Sequence, residues 1–458
     1  MAANPVNANP SAASPGDPSA DRLRRAIDGR IATVGVVGLG YVGLPLALTF
    51  ADAGFRVLGF DVDGAKVERL ARGESYIDHV PARRVAEHAG SGRLAATADF
   101  GRLGEPDALL LCVPTPLTPQ REPDVSFVER TGEAIVPRLR AGQLVVLEST
   151  TYPGTTDELL RGILERSGLA CGREFFLAYS PEREDPGNPT HSTSTIPKVV
   201  GGVDPLSGDL AEALYAAAVA TVVRVSSART AEATKLSENI FRAVNIALVN
   251  ELKMIYDRMG IDVWEVLDAA ETKPFGFMRF DPGPGWGGHC IPVDPFYLSW
   301  KAREFGVSSR FIELAGEVNV EMPRWVVRKL QLALNDRGKP VKGSKVLLLG
   351  LAYKKDVADP RESPAFEILD LLLGLGAEVS YHDPHVREAP PMRTWPDLPP
   401  LRSVALDDDL LAAQDAVLLV TDHSAVDYGR VLARAPLVVD TRGVLRRAGD
   451  VAGRVVRA

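Results

Sequence analysis

From residue 31 to 37 the chain reads Ile-Ala-Thr-Val-Gly-Val-Val, a short β-rich run, and the glycine turn behind it opens an apolar segment through Leu48 that fits a helix. Residues 56–60 read as the next strand. Further apolar runs at 108–113, 144–147 and 198–200 alternate with helical segments, the pattern of a parallel sheet covered on both faces, so an α/β domain is expected over 31–215. From 229 to 259 the spacing becomes helical: Ala233, Leu236, Ile240, Val244, Leu248, Leu252 and Ile255 keep intervals of three or four until Gly260 stops them. A second periodic segment near 311–334 extends an all-α middle region, 216–330, suited to bridging two lobes or to a subunit interface. Strand signals restart at 345–350 and recur at 377–381, 416–420 and 437–440, which places a second α/β unit over 340–458. The expected fold class is α/β, with two Rossmann-like doubly wound domains joined by a long central helix in an all-α region.

Length agrees with this division, since 458 residues at about 150 per domain make roughly three. Hydrophobic residues at 45% and charged residues at 24% describe a globular chain, and no apolar run reaches the roughly 20 residues of a membrane helix. The first 20 residues are rich in Ala, Asn, Pro and Ser, without the basic start and apolar core of a secretory signal, and residues 1–30 are expected to be a disordered tail. A net charge of −8 argues against nucleic acid as a partner while leaving room for a local basic pocket around a phosphorylated ligand. Three cysteines, Cys112, Cys171 and Cys290, fit free thiols in a reducing cytoplasm better than a disulfide framework.

The chemistry-bearing segments begin with Gly38-Leu-Gly-Tyr-Val-Gly43, between a strand and a helix. Glycines at Gly38, Gly40 and Gly43 let a pyrophosphate approach the helix N-terminus, with Tyr41 and Val42 in the same turn. Asp61, at the end of the next strand, would accept ribose hydroxyls and repel a 2′-phosphate, which favours NAD over NADP. Thr115 in Val-Pro-Thr-Pro and Thr150 in Glu-Ser-Thr-Thr end two later strands at the same sheet edge, where ligands collect, although ordinary turn chemistry also explains them. Lys235 and Asn239 share one face of the long helix, distinct from its apolar stripe. Buried beside a cleft they would steady an oxyanion, whereas spacing alone favours a solvated face.

Cys290 stands in Gly283-Pro-Gly-Trp-Gly-Gly-His-Cys-Ile-Pro-Val-Asp294. Pro292 suits the first turn of a helix starting there, a placement that would lower the thiol pKa and set Asp294 beside Cys290. A positioned thiolate can carry an aldehyde on to the acid oxidation level. By contrast Cys112 lies inside an apolar strand and Cys171 has no supporting motif. His289 has neither a third orienting group nor metal-ligand spacing near it, so no metal is expected.

With these segments assembled, residues 31–445 resemble the nucleotide-sugar 6-dehydrogenase family that includes UDP-glucose and GDP-mannose dehydrogenases. Tyr179-Ser-Pro-Glu-Arg-Glu-Asp-Pro-Gly-Asn188, Ala231-Glu-Ala-Thr-Lys-Leu-Ser-Glu-Asn239 and the Cys290 segment look most like bacterial UDP-N-acetylglucosamine 6-dehydrogenases. The resemblance implies an NAD domain, a central dimerisation region, a UDP-sugar domain and a homodimer or larger homo-oligomer. It implies two successive oxidations at the sugar C6 through a Cys290 thiohemiacetal and thioester. Lys235 and Asn239 would hold the oxyanion, Asp294 would support the lysine or water, and Thr150 and Glu182 would hold and activate the hydrolytic water.

Tyr353 and Lys354 of Gly-Leu-Ala-Tyr-Lys-Lys-Asp would touch the UDP-sugar, as would Arg442, Arg183 and the backbone at Gly285, Gly287 and Gly288. Arg361 and Lys66 complete the implied cofactor set. The chain departs from UDP-glucose enzymes at Arg183, Glu184 and His289, and Arg183 and His289 offer donors suited to an N-acetyl carbonyl. The reading is oxidation of UDP-N-acetyl-D-glucosamine to the uronic acid for surface polysaccharide. UDP-N-acetylmannosamine or UDP-glucose stay open as substrates. A single-step hydroxyacid dehydrogenase and a non-catalytic nucleotide-sugar sensor stay open as rivals.

Overall fold

A strand covered by helices on both faces must be apolar at every position. The runs Ala108–Leu111 and Leu144–Leu147 meet that demand, each of their residues being fully buried. They lie at the centre of the first sheet in a computed structural model that describes residues 18–77, 80–118, 120–183, 193–288, 291–392, 394–447 and 453–458. The strands are β1 (Thr33–Val37), β2 (Arg56–Phe60), β3 (Leu94–Thr97), β4 (Ala108–Leu111), β5 (Leu144–Leu147), β6 (Phe176–Tyr179), β7 (Lys198–Gly202) and β8 (Val222–Arg224). Their order is β3-β2-β1-β4-β5-β6-β7-β8. Pairing is parallel throughout except between β6 and β7.

The second sheet joins β9 (Lys345–Leu349), β10 (Glu378–His382), β11 (Ala416–Leu419), β12 (Val438–Asp440) and β13 (Val455–Arg457) in the order β10-β9-β11-β12-β13, all parallel. The chain separates into two compact units. One runs to Thr115 and resumes over Asp124–Lys235; the other holds Pro116–Pro123 and Leu236–Ala458, so most of the helical middle packs with the second sheet. The expected pair of doubly wound sheets is therefore present.

Both sheets end their first strand with the same device. Gly38 and Gly350 follow β1 and β9 with φ of 92° and 91°, a conformation that costs any other residue dearly. The amide of Gly38 donates to Phe60 O at 2.8 Å and that of Gly350 to His382 O at 2.9 Å. A carboxylate after the neighbouring strand then holds the outgoing turn. Asp61 Oδ2 accepts from Leu39 N at 2.9 Å, and Asp383 Oδ2 accepts from Leu351 N and Ala352 N at 2.7 and 2.9 Å.

Two expectations change. Of the tail expected over 1–30, residues Pro18–Asp28 form a helix whose Ala20, Leu23 and Ile27 join the first sheet's core beside Leu210 and Leu214; residues 1–17 lie outside the described residues. The long helix is Ala228–Met259, but beyond Leu236, the one stripe residue that is buried, its amphipathicity is inverted. Lys235, Asn239, Ala243, Ala247, Asn250 and Lys253 form the buried face, while Leu248 and Ile255 of the apolar stripe are nearly half exposed. Alanines admit a close neighbour, and the amides find partners there: Asn250 Nδ2 donates to Asn319 Oδ1 at 2.8 Å, and Asn250 Oδ1 accepts from Gly283 N at 2.9 Å.

Because Ile27 is fully buried, Ile27→Ala should cost about 2–5 kcal/mol. The loss would appear as a lower urea midpoint, and an unchanged midpoint would mean that the Pro18–Asp28 helix carries no core contact in solution.

Candidate active site

The turn after β1 meets the steric demands of a bound dinucleotide. A Cβ at Gly38 would come within 2.5 Å of Cys112 O, and one at Gly43 would collide with Gly38 O, whereas a Cβ at Gly40 would meet nothing within 4 Å. Close packing beneath and open space above is what a pyrophosphate needs at this helix N-terminus. Val42 directly precedes the helix Gly43–Asp52. Asp61 is held by Leu39 N and by Asp63 N at 2.9 Å each, with Lys66 Nζ at 3.4 Å. Gly40, Tyr41, Asp63, Lys66, Arg69 and Tyr76 line a cavity of about 360 Å³ next to it.

Farther along that sheet edge, Thr115 is buried and Thr150 half-buried. Ser149 ties the ends of β4 and β5 together, its Oγ donating to Leu111 O at 3.2 Å and Val113 O at 2.7 Å. Glu182 follows β6, one oxygen accepting from Arg183 N at 2.7 Å and the other from Lys198 Nζ at 3.3 Å. Arg183 Nη1 donates to Pro197 O at 2.6 Å. Lys235 is 7% exposed, so the solvated reading of its helix face is wrong, and it makes no ion pair among the described residues. Three residues earlier Glu232, which the sequence reading missed, accepts from Gly154 N, Thr156 N and Thr156 Oγ1 at 2.8, 2.9 and 2.7 Å. Burial pushes its carboxyl up to about 7 against those donors.

In the second unit Asn239 and Asp294 are both buried, and Asn239 Nδ2 donates to Asp294 Oδ2 at 2.5 Å. Arg242 Nη2 donates to Asn239 Oδ1. A carboxylate only accepts and a guanidinium only donates, so the amide orientation is fixed from both ends. Arg242 lies one turn beyond Asn239 and was legible as an i, i+3 neighbour. Cys290 and His289 lie outside the described residues, as does Glu184. The expected helical turn over Pro292 is not formed: the helix is Asp294–Glu304, and Pro295 takes the first-turn position. Residues 291–293 are a turn ahead of it, so Asp294 opens the helix.

Tyr353, Lys354, Lys355, Arg442, Arg446 and Arg279 come together around a cavity of about 550 Å³. Arg442 is fixed there by Nε donation to Val420 O at 2.8 Å and by its amide on Asp440 Oδ1 at 2.9 Å. Lys355, Arg446 and Arg279 were not singled out from sequence. The expected glycines are filled from the protein side. A Cβ at Gly287 or Gly288 would come within 2.7 or 2.8 Å of Tyr353, and one at Gly285 within 3.2 Å of Asn319 O. Arg361 pairs with Asp359 at 2.6 Å. Asp356, His385 and His423 approach one another as metal ligands would. His423 already uses both nitrogens, however, Nδ1 accepting from Asp356 N and Nε2 donating to Asp383 Oδ2, each at 3.0 Å.

A dinucleotide turn in one sheet and a cationic cavity at the other agree with three matches to models of the UDP-glucose/GDP-mannose dehydrogenase family. The NAD binding domain matches residues 32–219, the central domain 229–321 and the UDP binding domain 347–447. The chain belongs to this family. It is an NAD-dependent oxidoreductase of nucleotide sugars. The dehydrogenase is 38% identical over 393 residues to UDP-N-acetyl-D-glucosamine 6-dehydrogenase of Pseudomonas aeruginosa, covering 85% of this chain and 90% of that one. It is 37% identical over 436 residues to NDP-N-acetyl-D-galactosaminuronic acid dehydrogenase of Ralstonia nicotianae, covering 92% and 98%. UDP-D-ManNAc dehydrogenase from Pyrococcus horikoshii superposes with a TM-score of 0.83 at 30% identity, over 93% of this chain and 98% of that one. Among the described residues no helix is long and apolar enough to cross a membrane.

One buried cation of the dehydrogenase ties the long helix to the Arg442 turn: Lys253 Nζ donates to Thr441 O at 3.2 Å, and it lies 5.4 and 5.1 Å from the ring centres of Trp264 and Trp325. Burial, with Arg442 adding repulsion, pushes Lys253 down to about 7. An unfolded lysine titrates near 10.4, so between about pH 7 and 10 the folded chain binds fewer protons than the unfolded one, and stability rises with pH there. Lys253→Met should flatten that rise, its advantage over wild type shrinking from about pH 7 to pH 10. Urea midpoints across the window test this; a constant difference between the two proteins would refute it.

Proposed function

We propose that the dehydrogenase oxidises the C6 hydroxymethyl of UDP-N-acetyl-D-glucosamine to the carboxylate, in the synthesis of a surface polysaccharide. The cavity lined by Lys354, Lys355, Arg442, Arg446 and Arg279 carries this reading: Asp281 and Asp422 line it too, and Arg279 is paired with Asp268, Glu271 and Asp281, yet five cations against two carboxylates beside an aromatic pair, Tyr353 and Trp264, suit a nucleoside diphosphate. The N-acetyl sugar is favoured by the Pseudomonas relative and by Arg183 and His289 standing where glucose enzymes carry other residues. The mannosamine and galactosamine epimers belong to equally similar relatives and are the second reading.

Gly38, Gly40 and Gly43 with Asp61 would hold NAD, which would supply the two-electron acceptor for each of two oxidations, two equivalents per sugar. The Cys290 sulfur adds to the C6 aldehyde after the first oxidation, and the second converts the resulting thiohemiacetal to a thioester. Lys235 and Asn239 donate to the developing oxyanion, Asn239 in the orientation that Asp294 and Arg242 impose. Glu182 then takes a proton from water as the water oxygen attacks the thioester carbonyl. The carbon–sulfur bond breaks, the thiolate recovers a proton, and the acid leaves. Thr150 holds that water.

The inverted long helix supports self-association with a second copy of the chain. Phe241, Leu248 and Ile255, seven residues apart and each 46–49% exposed, leave an apolar seam on its outer face.

Complete conversion of UDP-N-acetylglucosamine should yield two NADH per sugar, and one NADH would end the thioester route. The initial rate should exceed those with UDP-glucose and the two epimeric N-acetyl sugars; faster turnover of an epimer reassigns the substrate. Cys290→Ser should abolish acid formation, and Asn239→Ala should lower kcat by about 10²–10³. Sedimentation of Leu248→Lys should show a monomer where the native chain is at least a dimer, and a native monomer would remove the seam's role.

A further inference from the structure

The first sheet buries a pair of charges, Lys198 and Glu148, that takes no part in the proposed reaction. Lys198, the first residue of β7, is 2% exposed, and an ammonium so enclosed requires acceptors. Its Nζ donates to Glu148 Oε2 at 2.6 Å and to Glu182 Oε2 at 3.3 Å, with the Tyr215 ring centre 5.5 Å away. Glu148, 1% exposed just after β5, accepts through its other oxygen from the Tyr215 hydroxyl. One cation thus stands between two carboxylates, one fully enclosed and one at the sheet edge.

We propose that Lys198 is a positioning residue for Glu182, holding one of its oxygens and, with Glu148 as competing counter-charge, setting how readily Glu182 takes a proton. This rests on the reading of Glu182 as the base of thioester hydrolysis. The geometry favours it over a closed Glu148–Lys198 pair because Lys198 reaches Glu182 as well, while the Arg183 amide fixes the opposite oxygen. Burial raises the Glu148 carboxyl. Burial also disfavours the Lys198 ammonium, yet Glu148 and Glu182 outweigh it and keep the cation charged. Tyr215 and Cys112, the other titratable side chains facing the cluster among the described residues, are both pushed well up by burial and stay neutral. Among the described residues the charge balance at Glu182 therefore lies with Lys198, Glu148 and the adjoining Arg183.

The test is the pH dependence of kcat. Lys198→Met alone strands the Glu148 charge and invites misfolding, so the informative variant is the charge-balanced double Lys198→Met/Glu148→Gln. Loss of the cation should move the acid limb of its profile upward by about one to three pH units. Glu148→Gln alone, which leaves Lys198 wholly to Glu182, should move the limb downward, and Lys198→Arg should keep it in place. Limbs that coincide with wild type in both variants, or move the same way, would overturn the proposal. Glu182→Gln separates this from the underlying reading. A burst of two NADH per active site followed by stalling upholds Glu182 as the base whatever the Lys198 variants do, and steady turnover removes it.

Discussion

The turn that each sheet offers to a nucleotide hangs on a steric constraint at the end of that sheet's first strand. The backbone must turn away from the sheet in a conformation open to glycine, and the turn must be held without a side chain of its own. Gly38 and Gly350 supply the conformation, and Asp61 and Asp383, from the neighbouring strand ends, supply the hold by accepting the amides of the outgoing turn. The two sheets then diverge. Asp61 stands beside the cavity of Lys66 and Arg69, whereas Asp383 is enclosed with His423, and the turn it holds sends Tyr353 and Lys354 outward instead. One local solution therefore yields a cofactor cradle in one sheet and a cationic wall in the other.

The second theme is the burial of charge. Lys198, Lys235 and Lys253 are all nearly inaccessible, and each is tolerated for a different reason. Lys198 has two carboxylates, and Lys253 has two indole faces and a carbonyl. Lys235 makes no ion pair among the described residues, and a buried cation left in that state is a group whose counter-charge is suited to arriving with a ligand. The long helix makes the burial of Lys235 and Lys253 possible by turning its alanines, asparagines and lysines inward, while Lys198 is enclosed within the first sheet.

That inversion marks the limit of what the sequence could tell. The central strands were legible because a doubly covered strand is apolar without interruption: the segments at 56–60 and 144–147 coincide with β2 and β5. The glycine turn and Asp61 were legible because their spacing is set by backbone geometry. β3, β6, β8 and β13 were not singled out: β3, β8 and β13 are edge strands of three or four residues with partly exposed positions, whereas β6 is interior and buried at every position and was open to the same rule. Helix Pro18–Asp28 hid behind a polar, proline-containing composition, and only three of its residues are buried. Periodicity located the helix Ala228–Met259 but not its inner face, since hydrophobicity ranks leucine above alanine while close approach ranks them the other way. Arg242, three residues from its partner Asn239, was open to spacing, whereas Glu232 and Lys198 act through partners distant in sequence and spacing carries no trace of them.

The contact between Gly287, Gly288 and Tyr353 reaches beyond the single molecule. Any side chain at either glycine would occupy space that the tyrosine already fills. The ring atoms that meet Gly288 could retreat in a smaller residue, but the Cβ that meets Gly287 belongs to every residue except glycine. Over generations position 287 is thus closed to side chains whatever stands at 353, and position 288, at φ 80°, is held to glycine by its backbone as well.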